Sequence, residues 1–154
     1  MNVGQVCTRE VYIVRPDEPL LQAVHEMRRR NVGCVVVVGQ RGGRVVPIGI
    51  VTDRDIVGAL PEKAEVLATV PVGECMTANP LTLGEDESIV DAMARLRQRG
   101  VRRAPVVAAN GELVGIVSTD DLLGIVAEQL SSLARLVEQQ TRGRRPLGSD
   151  QAPK

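Results

Sequence analysis

Two pairs of side chains in this sequence have the types and spacing of a binding element. A hydroxyl residue precedes an aspartate by three positions in Thr52/Asp55, and the same arrangement recurs in Ser118/Asp121. The stretches that contain the pairs, GIVTDRD and GIVSTDD, each begin as an apolar run and then become polar. This pattern predicts a strand that leads directly into a helix, twice in one chain.

The spacing of hydroxyl and carboxylate has two interpretations. In the first it is a capping box, in which the hydroxyl accepts from the third helical N–H and the carboxylate accepts from the N–H of the cap residue. Such a cap contributes about 1 kcal/mol and implies nothing about function. In the second interpretation the hydroxyl and the helix N-terminus hold a phosphate, and the carboxylate accepts from sugar hydroxyls. Duplication at one structural position gives the second interpretation weight.

The elements that must position these pairs are also duplicated. A shift of 69 positions, as from Gly4 to Gly73, carries one helix-face triplet onto another: Leu20, Val24 and Met27 onto Ile89, Met93 and Leu96. It also carries the buried-strand pattern of residues 35–38 onto residues 104–107. The shift falls to 66 between Gly49 and Gly115, so the first hairpin is longer by three residues. The chain is predicted to be an α/β protein with two β-α-β-β-α repeats.

The repeat boundaries divide the chain into five predicted segments. These are a first repeat at 2–60, a connector at 61–71, a second repeat at 72–128, a C-terminal helix at 129–140 and a disordered tail at 141–154. The first strands are expected at 11–14 and 81–83. We expect the helix that follows Thr52 to break at Pro61 and to resume through residue 68.

Apolar residues of the last helix alternate steps of three and four, as in a heptad seam: Leu123, Val126, Leu130, Leu133 and Val137. Two heptads are short for a coiled coil, and a helix lying on its own domain explains the spacing equally well. The seam predicts contacts in a homodimer if that helix is not covered by its own domain.

Charge and composition restrict the function classes. The 19 basic and 19 acidic side chains cancel, so there is no global signature of a nucleic-acid or membrane-surface binder. No apolar stretch approaches the roughly 20 residues of a membrane span, and no signal peptide is recognisable, so we expect a cytoplasmic protein. The only aromatic side chain is Tyr12, so a bound base would have mostly aliphatic neighbours.

Neither an enzyme active site nor a metal site is predicted. The only histidine, His25, lies off the apolar face of its helix, and nothing places a nucleophile beside it. Cys7, Cys34 and Cys75 lack the close pairs of a structural zinc site. As an odd number of separated thiols they fit reduced packing residues better than disulfides.

The two copies, with VGECMTANPLTL opening the second and GIVTDRD and GIVSTDD ending the sheets, resemble the cystathionine β-synthase (CBS) domain. The resemblance covers residues 2–128 and is that of a tandem pair, or Bateman module. The opening of the first copy is more divergent, with Cys7 where the family has methionine. The resemblance implies repeats packed sheet to sheet about a pseudo-twofold axis. It also implies two clefts for an adenosine-containing ligand: AMP, ADP, ATP or S-adenosylmethionine.

The resemblance implies roles for particular residues. The hydroxyls of Thr52 and Ser118 are expected to face phosphate, and Asp55 and Asp121 are expected to accept from ribose. Backbone contacts to adenine are expected from the first strand of a repeat, a role assigned to these residues: Val11 and Tyr12, or Pro80 and Leu81.

The two copies differ in charge beside the pairs. Arg54 precedes Asp55, whereas Asp120 precedes Asp121, which favours phosphate binding at the first copy. Arg102 and Arg103 stand where the first copy has a glycine and a cysteine. A phosphate between Arg54 and one of these arginines would have charge-assisted partners, although a solvated strand end explains the two arginines equally well.

The predicted protein is a stand-alone regulatory domain pair, which senses an adenosine-containing ligand and regulates a partner protein in trans. The sequence names no protein target and predicts no cofactor besides the regulatory ligand. The alternative is an interaction module that binds no ligand and dimerises through its helices. A thermal shift with adenine nucleotides distinguishes the two, because a ligand at 100 times its Kd adds roughly 2.7 kcal/mol to stability.

Overall fold

The computed structural model describes residues 1–143, which form two similar halves. The first half contains α1 (Val3–Val6), β1 (Ile13–Val14), α2 (Leu20–Arg30), β2 (Cys34–Arg41), β3 (Arg44–Thr52) and α3 (Asp53–Lys63). The second contains β4 (Thr77–Ala78), β5 (Leu83–Gly84), α4 (Ile89–Arg99), β6 (Arg103–Val107), β7 (Leu113–Ser118) and α5 (Thr119–Gly143). Two short 3₁₀ turns, Ala64–Val66 and Val72–Glu74, lie between the halves.

The halves form two sheets of the same design. The strand orders are β1-β2-β3-β4 and β5-β6-β7, with the first pair of each sheet parallel and the second antiparallel. The antiparallel pairs β2–β3 and β6–β7 have a register irregularity at the same place, between Val37 and Val38 and between Val106 and Val107. The sheets contact each other through β3 and β7. The predicted pair of repeats, packed sheet to sheet about a pseudo-twofold axis, is confirmed.

The opening segments of the repeats are exchanged between the sheets. In the first opening segment (residues 2–12), the N–H of Thr8 donates to the Ile116 carbonyl at 2.9 Å, and the N–H of Ile116 donates back at 3.0 Å. In the second opening segment (residues 71–81), Thr77 pairs with Ile50 of β3. Each sequence repeat therefore places its first residues on the sheet of the other.

The cores reflect this exchange. Val3 is buried among the residues of the second half, and Val72 among those of the first. Val36 and Val106, at the centres of the predicted strands, are fully buried. On the helices, the alanines Ala23 and Ala92 are fully buried, because a small side chain lets the helix backbone approach the sheet. The apolar triplets identified the inner helix faces but did not include these alanines.

The glycine that begins each motif accommodates the crossing opening segment. A Cβ on Gly115 would lie 2.6 Å from the Cys7 sulfur and 3.1 Å from the Thr8 carbonyl oxygen. A Cβ on Gly49 would overlap the sulfur of Met76. Cys7 therefore takes the structural position of Met76, as a smaller sulfur side chain above the equivalent glycine.

Several predicted boundaries were wrong. Helix α3 continues through Pro61 to Lys63, because a proline in the last turn removes only one hydrogen bond of the helix. The first strands are shorter than predicted, since only Ile13–Val14 and Leu83–Gly84 pair with a neighbour. Helix α5 extends to Gly143, beyond the predicted end at 140. The rest of the predicted disordered tail lies outside the described residues.

The end of α5 does not lie on the domain. Leu122 is buried, but Leu130, Leu133 and Val137 are each 62% exposed. The interpretation of this helix as one that covers its own domain was therefore wrong for this part of the seam. Among residues 1–143, no helix combines the length and apolar character needed to cross a bilayer.

Candidate ligand cleft

Both hydroxyl–aspartate pairs form complete capping boxes. At the start of α3, the Asp55 N–H donates to Thr52 Oγ1 at 3.2 Å, and Asp55 Oδ2 accepts from the Thr52 N–H and hydroxyl, both at 2.8 Å. At the start of α5, the Asp121 N–H donates to Ser118 Oγ at 3.2 Å. Asp121 Oδ2 accepts from the Ser118 N–H at 3.0 Å and from its hydroxyl at 2.6 Å.

The capping geometry leaves part of each carboxylate available. The hydrogen bonds that the two carboxylates accept all use the Oδ2 atoms, and within residues 1–143 no hydrogen bond is donated to the Oδ1 atom of Asp55 or Asp121. A carboxylate can accept about four hydrogen bonds. The cap therefore fixes the orientation of the aspartate and is compatible with a sugar hydroxyl on its second oxygen.

A cleft of about 330 Å³ opens between the two halves beside the second pair. Its volume is at the lower end of the roughly 300–1,000 Å³ of small-molecule sites. We refer to it as the Ser118 cleft. The first opening segment contributes Thr8, Glu10, Val11 and Tyr12. The second half contributes Arg103, Ile116, Val117, Ser118 and Asp121.

The exchange of opening segments makes this cleft composite. The Thr8–Ile116 pairing holds the opening segment against the second sheet, and the segment then returns to the first sheet, where the Val36 N–H donates to the Tyr12 carbonyl at 2.9 Å. Val11 and Tyr12 therefore lie in the cleft with Ser118 and Asp121, at the start of α5. Five predicted site residues thus line one cavity: Val11, Tyr12, Arg103, Ser118 and Asp121. The sequence predicted these residues, but it did not predict that the first strand of one repeat would join the motif of the other.

Arg103 is placed next to the motif hydroxyl by strand register. It is paired with Ser118 across β6 and β7, so the two residues are neighbours at the end of the sheet. Among residues 1–143, no carboxylate forms an ion pair with Arg103. The cleft therefore contains a guanidinium that is available to an anion.

The junction between α2 and β2 forms the floor of the cleft with Asn31, Val32, Gly33 and Cys34. Asn31 ends α2 in the left-handed conformation, with φ 53°, and the chain then continues into β2. Cys34 is buried, and this burial raises the pKa of its thiol. Cys7, Cys34 and Cys75 are all free.

Glu10 and Tyr12 belong to a cluster of charges at the rim. The Arg30 guanidinium lies 4.1 Å from the centroid of the Tyr12 ring and 3.7 Å from Glu10. It also donates to Glu26 at 3.0 Å. Hydrogen bonds from Arg30 and then Arg29 lower the pKa of the Glu26 carboxyl. These contacts cover one face of the only aromatic ring of the chain.

The other set of predicted residues occupies the pseudo-symmetric position. Pro80 and Leu81 follow the Thr77–Ile50 pairing as Val11 and Tyr12 follow the Thr8–Ile116 pairing. Thr52 pairs with Cys34 across β2 and β3, so no arginine stands opposite this hydroxyl. Leu81 is buried in the core of the second half.

The remaining predicted cations do not meet at one point. Arg102 donates to Asp120 at 3.2 Å, so that ion pair engages its guanidinium. Arg54 is exposed on the first turn of α3 and does not line the Ser118 cleft. Of the three arginines, only Arg103 reaches that cleft.

Sequence reasoning missed four polar or small residues at the cleft: Thr8, Glu10, Asn31 and Gly33. It also missed Asp53, whose N–H donates to the Gly33 carbonyl at 3.1 Å. A signal existed for Gly33, because the internal alignment placed it opposite Arg102. The others become visible only when the opening segment crosses to the second sheet.

Comparisons with known proteins agree with this architecture. The family model described as CBS domain matches residues 3–62 and 72–128. An uncharacterised 17.7 kDa protein of Acidianus ambivalens is 38% identical over 121 residues, which are 79% of this chain and 70% of that protein.

Two solved structures are similar over most of the chain. The crystal structure of CBSX2 in complex with AMP has 25% identity and a TM-score of 0.69, and the match covers 84% of this chain and 98% of that one. The CBS domain pair of protein MJ0100, in complex with 5′-methylthioadenosine and S-adenosyl-L-methionine, has 22% identity and a TM-score of 0.72, with the same coverage.

Proposed function

The chain belongs to the CBS domain family, and from that premise we propose that it is a regulatory domain pair that binds an adenosine-containing ligand in the Ser118 cleft. The observation that carries the proposal is the meeting of Val11, Tyr12, Arg103, Ser118 and Asp121 around one cavity. No catalytic step is assigned to these residues.

The lining residues indicate where the base, the ribose and the 5′ group of the ligand bind. The apolar residues Val11, Val36 and Ile116 favour the base. The free Oδ1 of Asp121 can accept from a ribose hydroxyl. A 5′ phosphate or carboxylate then lies toward Ser118 and Arg103, where a guanidinium can form charge-assisted hydrogen bonds. CBSX2 has been solved with AMP, which supports an adenosine ligand in this chain.

The pseudo-symmetric position is proposed as a weaker site. Thr52 and Asp55 repeat the capping geometry of Ser118 and Asp121 at similar distances. Arg54 is the cation available beside this pair, and Pro80 and Leu81 are the backbone candidates for the base. Because the arginine in register with the motif hydroxyl belongs to the second pair, the ligand is expected to prefer the Ser118 cleft.

Paired substitutions test the binding site. Asp121→Ala and Asp55→Ala each remove one capping carboxylate, so each should lower the free energy of unfolding by about 1 kcal/mol. Only Asp121→Ala should also weaken the binding of AMP, by roughly tenfold or more, because a hydrogen bond to a charged acceptor is worth about 1.5–3 kcal/mol. Calorimetric titration measures this difference. Equal loss of AMP affinity in both variants, or none in either, would contradict the assignment.

The regulated partner is proposed to be a separate protein, and the module is proposed to act as a homodimer. The exposed seam residues Leu130, Leu133 and Val137 support a protein contact at the end of α5. Light scattering should give twice the monomer mass of 16.5 kDa, and deletion of residues 129–154 should weaken the dimer. A monomeric full-length protein at micromolar concentration would reject the dimer.

The same exposed seam favours the second candidate, an interaction module without a ligand. This candidate predicts that adenosine, AMP, ATP and S-adenosylmethionine all leave the melting temperature unchanged at millimolar concentration. A shift with any of them, abolished by Asp121→Ala, favours the ligand-binding module instead.

A further inference from the structure

The base of the Ser118 cleft contains a narrow gap between opposite charges. A Cβ placed on Gly33 would lie 3.4 Å from Asp53 Oδ2 and 3.5 Å from an Arg103 guanidinium nitrogen. The two side chains thus both reach the small space beside Gly33. They do not form an ion pair with each other, since none within residues 1–143 joins them.

Backbone contacts hold these two side chains in place. The hydrogen bond from the Asp53 N–H to the Gly33 carbonyl fixes the first residue of α3 beside the gap. Asp53 Oδ1 accepts from the Arg54 N–H at 2.9 Å, which directs the second carboxylate oxygen, Oδ2, toward Gly33. Arg103 is held from the other side by its pairing with Ser118.

We propose that Asp53 is a specificity-determining residue that limits the Ser118 cleft to adenosine ligands with at most one phosphate. This inference rests on the proposed function. A single anionic group can bind Arg103 on the near side of the gap. A chain of further phosphates would have to continue past Gly33 toward a fixed carboxylate of the same charge, and like charges a few ångströms apart repel strongly at a protein surface.

The rest of the cleft contributes little charge to offset this repulsion. Glu10 is paired with Arg30, and Asp121 and Arg103, which form no ion pair with each other, contribute one charge of each sign to the lining. Asp53 then adds one negative charge where a triphosphate would carry its largest charge. The cleft therefore favours AMP, or an adenosine with an uncharged or zwitterionic 5′ group, over ATP.

The test compares AMP, ATP and adenosine on wild type and Asp53→Asn by calorimetry, in buffer with EDTA so that no divalent cation masks the triphosphate. The amide oxygen of asparagine can accept from the Arg54 N–H in place of the carboxylate oxygen Oδ1. Glu62→Gln, at the exposed far end of α3, is the matched control because it changes the net charge equally. Wild type should bind AMP at least tenfold more tightly than ATP. Asp53→Asn should reduce that ratio about tenfold, and Glu62→Gln should leave it within twofold.

A second variant tests the gap itself. Gly33→Ala places a methyl group at contact distance from Asp53 and Arg103, so AMP should bind about tenfold more weakly while adenosine is unaffected. Equal binding of AMP and ATP by wild type, or equal ratios in Asp53→Asn and Glu62→Gln, overturns the inference but leaves an adenine-nucleotide site intact. Absence of binding of all three ligands to wild type overturns the proposed function and this inference together.

Discussion

Gly115→Ala tests how closely the first opening segment crosses over the second sheet. The added Cβ would lie 2.6 Å from the Cys7 sulfur and 3.1 Å from the Thr8 carbonyl oxygen. Both distances are below van der Waals contact, and the second atom belongs to the paired backbone. Overpacking of this kind typically costs about 1–3 kcal/mol. We expect Gly115→Ala to lower the free energy of unfolding by about that amount.

A double-mutant cycle isolates the sulfur contact. Cys7→Ala removes the sulfur and should cost about 1 kcal/mol or less, because the side chain is small and only partly buried. In the Cys7→Ala/Gly115→Ala protein the nearest clash is gone, so the second substitution should cost less than it does alone. The remaining cost measures the contact with the Thr8 carbonyl.

Urea unfolding followed by circular dichroism provides the free energies, with m-values used to confirm that the variants unfold like wild type. Gly124→Ala is the control, because a Cβ at this position of α5 meets no atom within 4 Å. It should stabilise the protein by up to about 1 kcal/mol through helix propensity. If Gly115→Ala behaves like Gly124→Ala, or if the cycle shows no coupling, the close crossing of Cys7 over Gly115 is refuted.

Two further predictions concern the core and the buried thiol. Val106→Asp should abolish cooperative folding, because an unpaired carboxylate at this fully buried position costs several kcal/mol of the roughly 5–15 available; a soluble variant with a cooperative melt would contradict it. For Cys34, burial raises the pKa of the folded thiol above its ordinary 9.0. The folded state therefore favours the neutral thiol. Below pH 9.0 the thiol is neutral in both states and the contribution of Cys34 to stability is complete. As the pH rises above 9.0 the unfolded thiol loses its proton first, so this contribution to the free energy of unfolding is lost. Unfolding of wild type and Cys34→Ala between pH 8 and 10.5 should show a smaller decrease for the variant, and parallel curves would exclude this titration.

The sequence alone determined the elements and their duplication. Apolar periodicity reports which face of a helix or strand avoids water, so the pattern by itself assigns Val36 and Val106 to the core, where both are fully buried. A hydroxyl residue followed by an aspartate at the third position is local chemistry, and both pairs form the capping boxes that their spacing predicted. Local rules were less reliable at Pro61, where one lost hydrogen bond did not end the helix.

Only the tertiary structure decided which opening segment packs against which of the two similar sheets. An apolar opening segment is equally complementary to either sheet, and only the packed fold places Thr8 on β7 and Thr77 on β3. That choice joins Tyr12 to Asp121 across more than one hundred residues of sequence, engages Arg102 with Asp120 and leaves Arg103 open to the cleft. Periodicity and spacing act over a few residues, whereas a binding cleft is a long-range contact between segments whose relative position depends on the whole core.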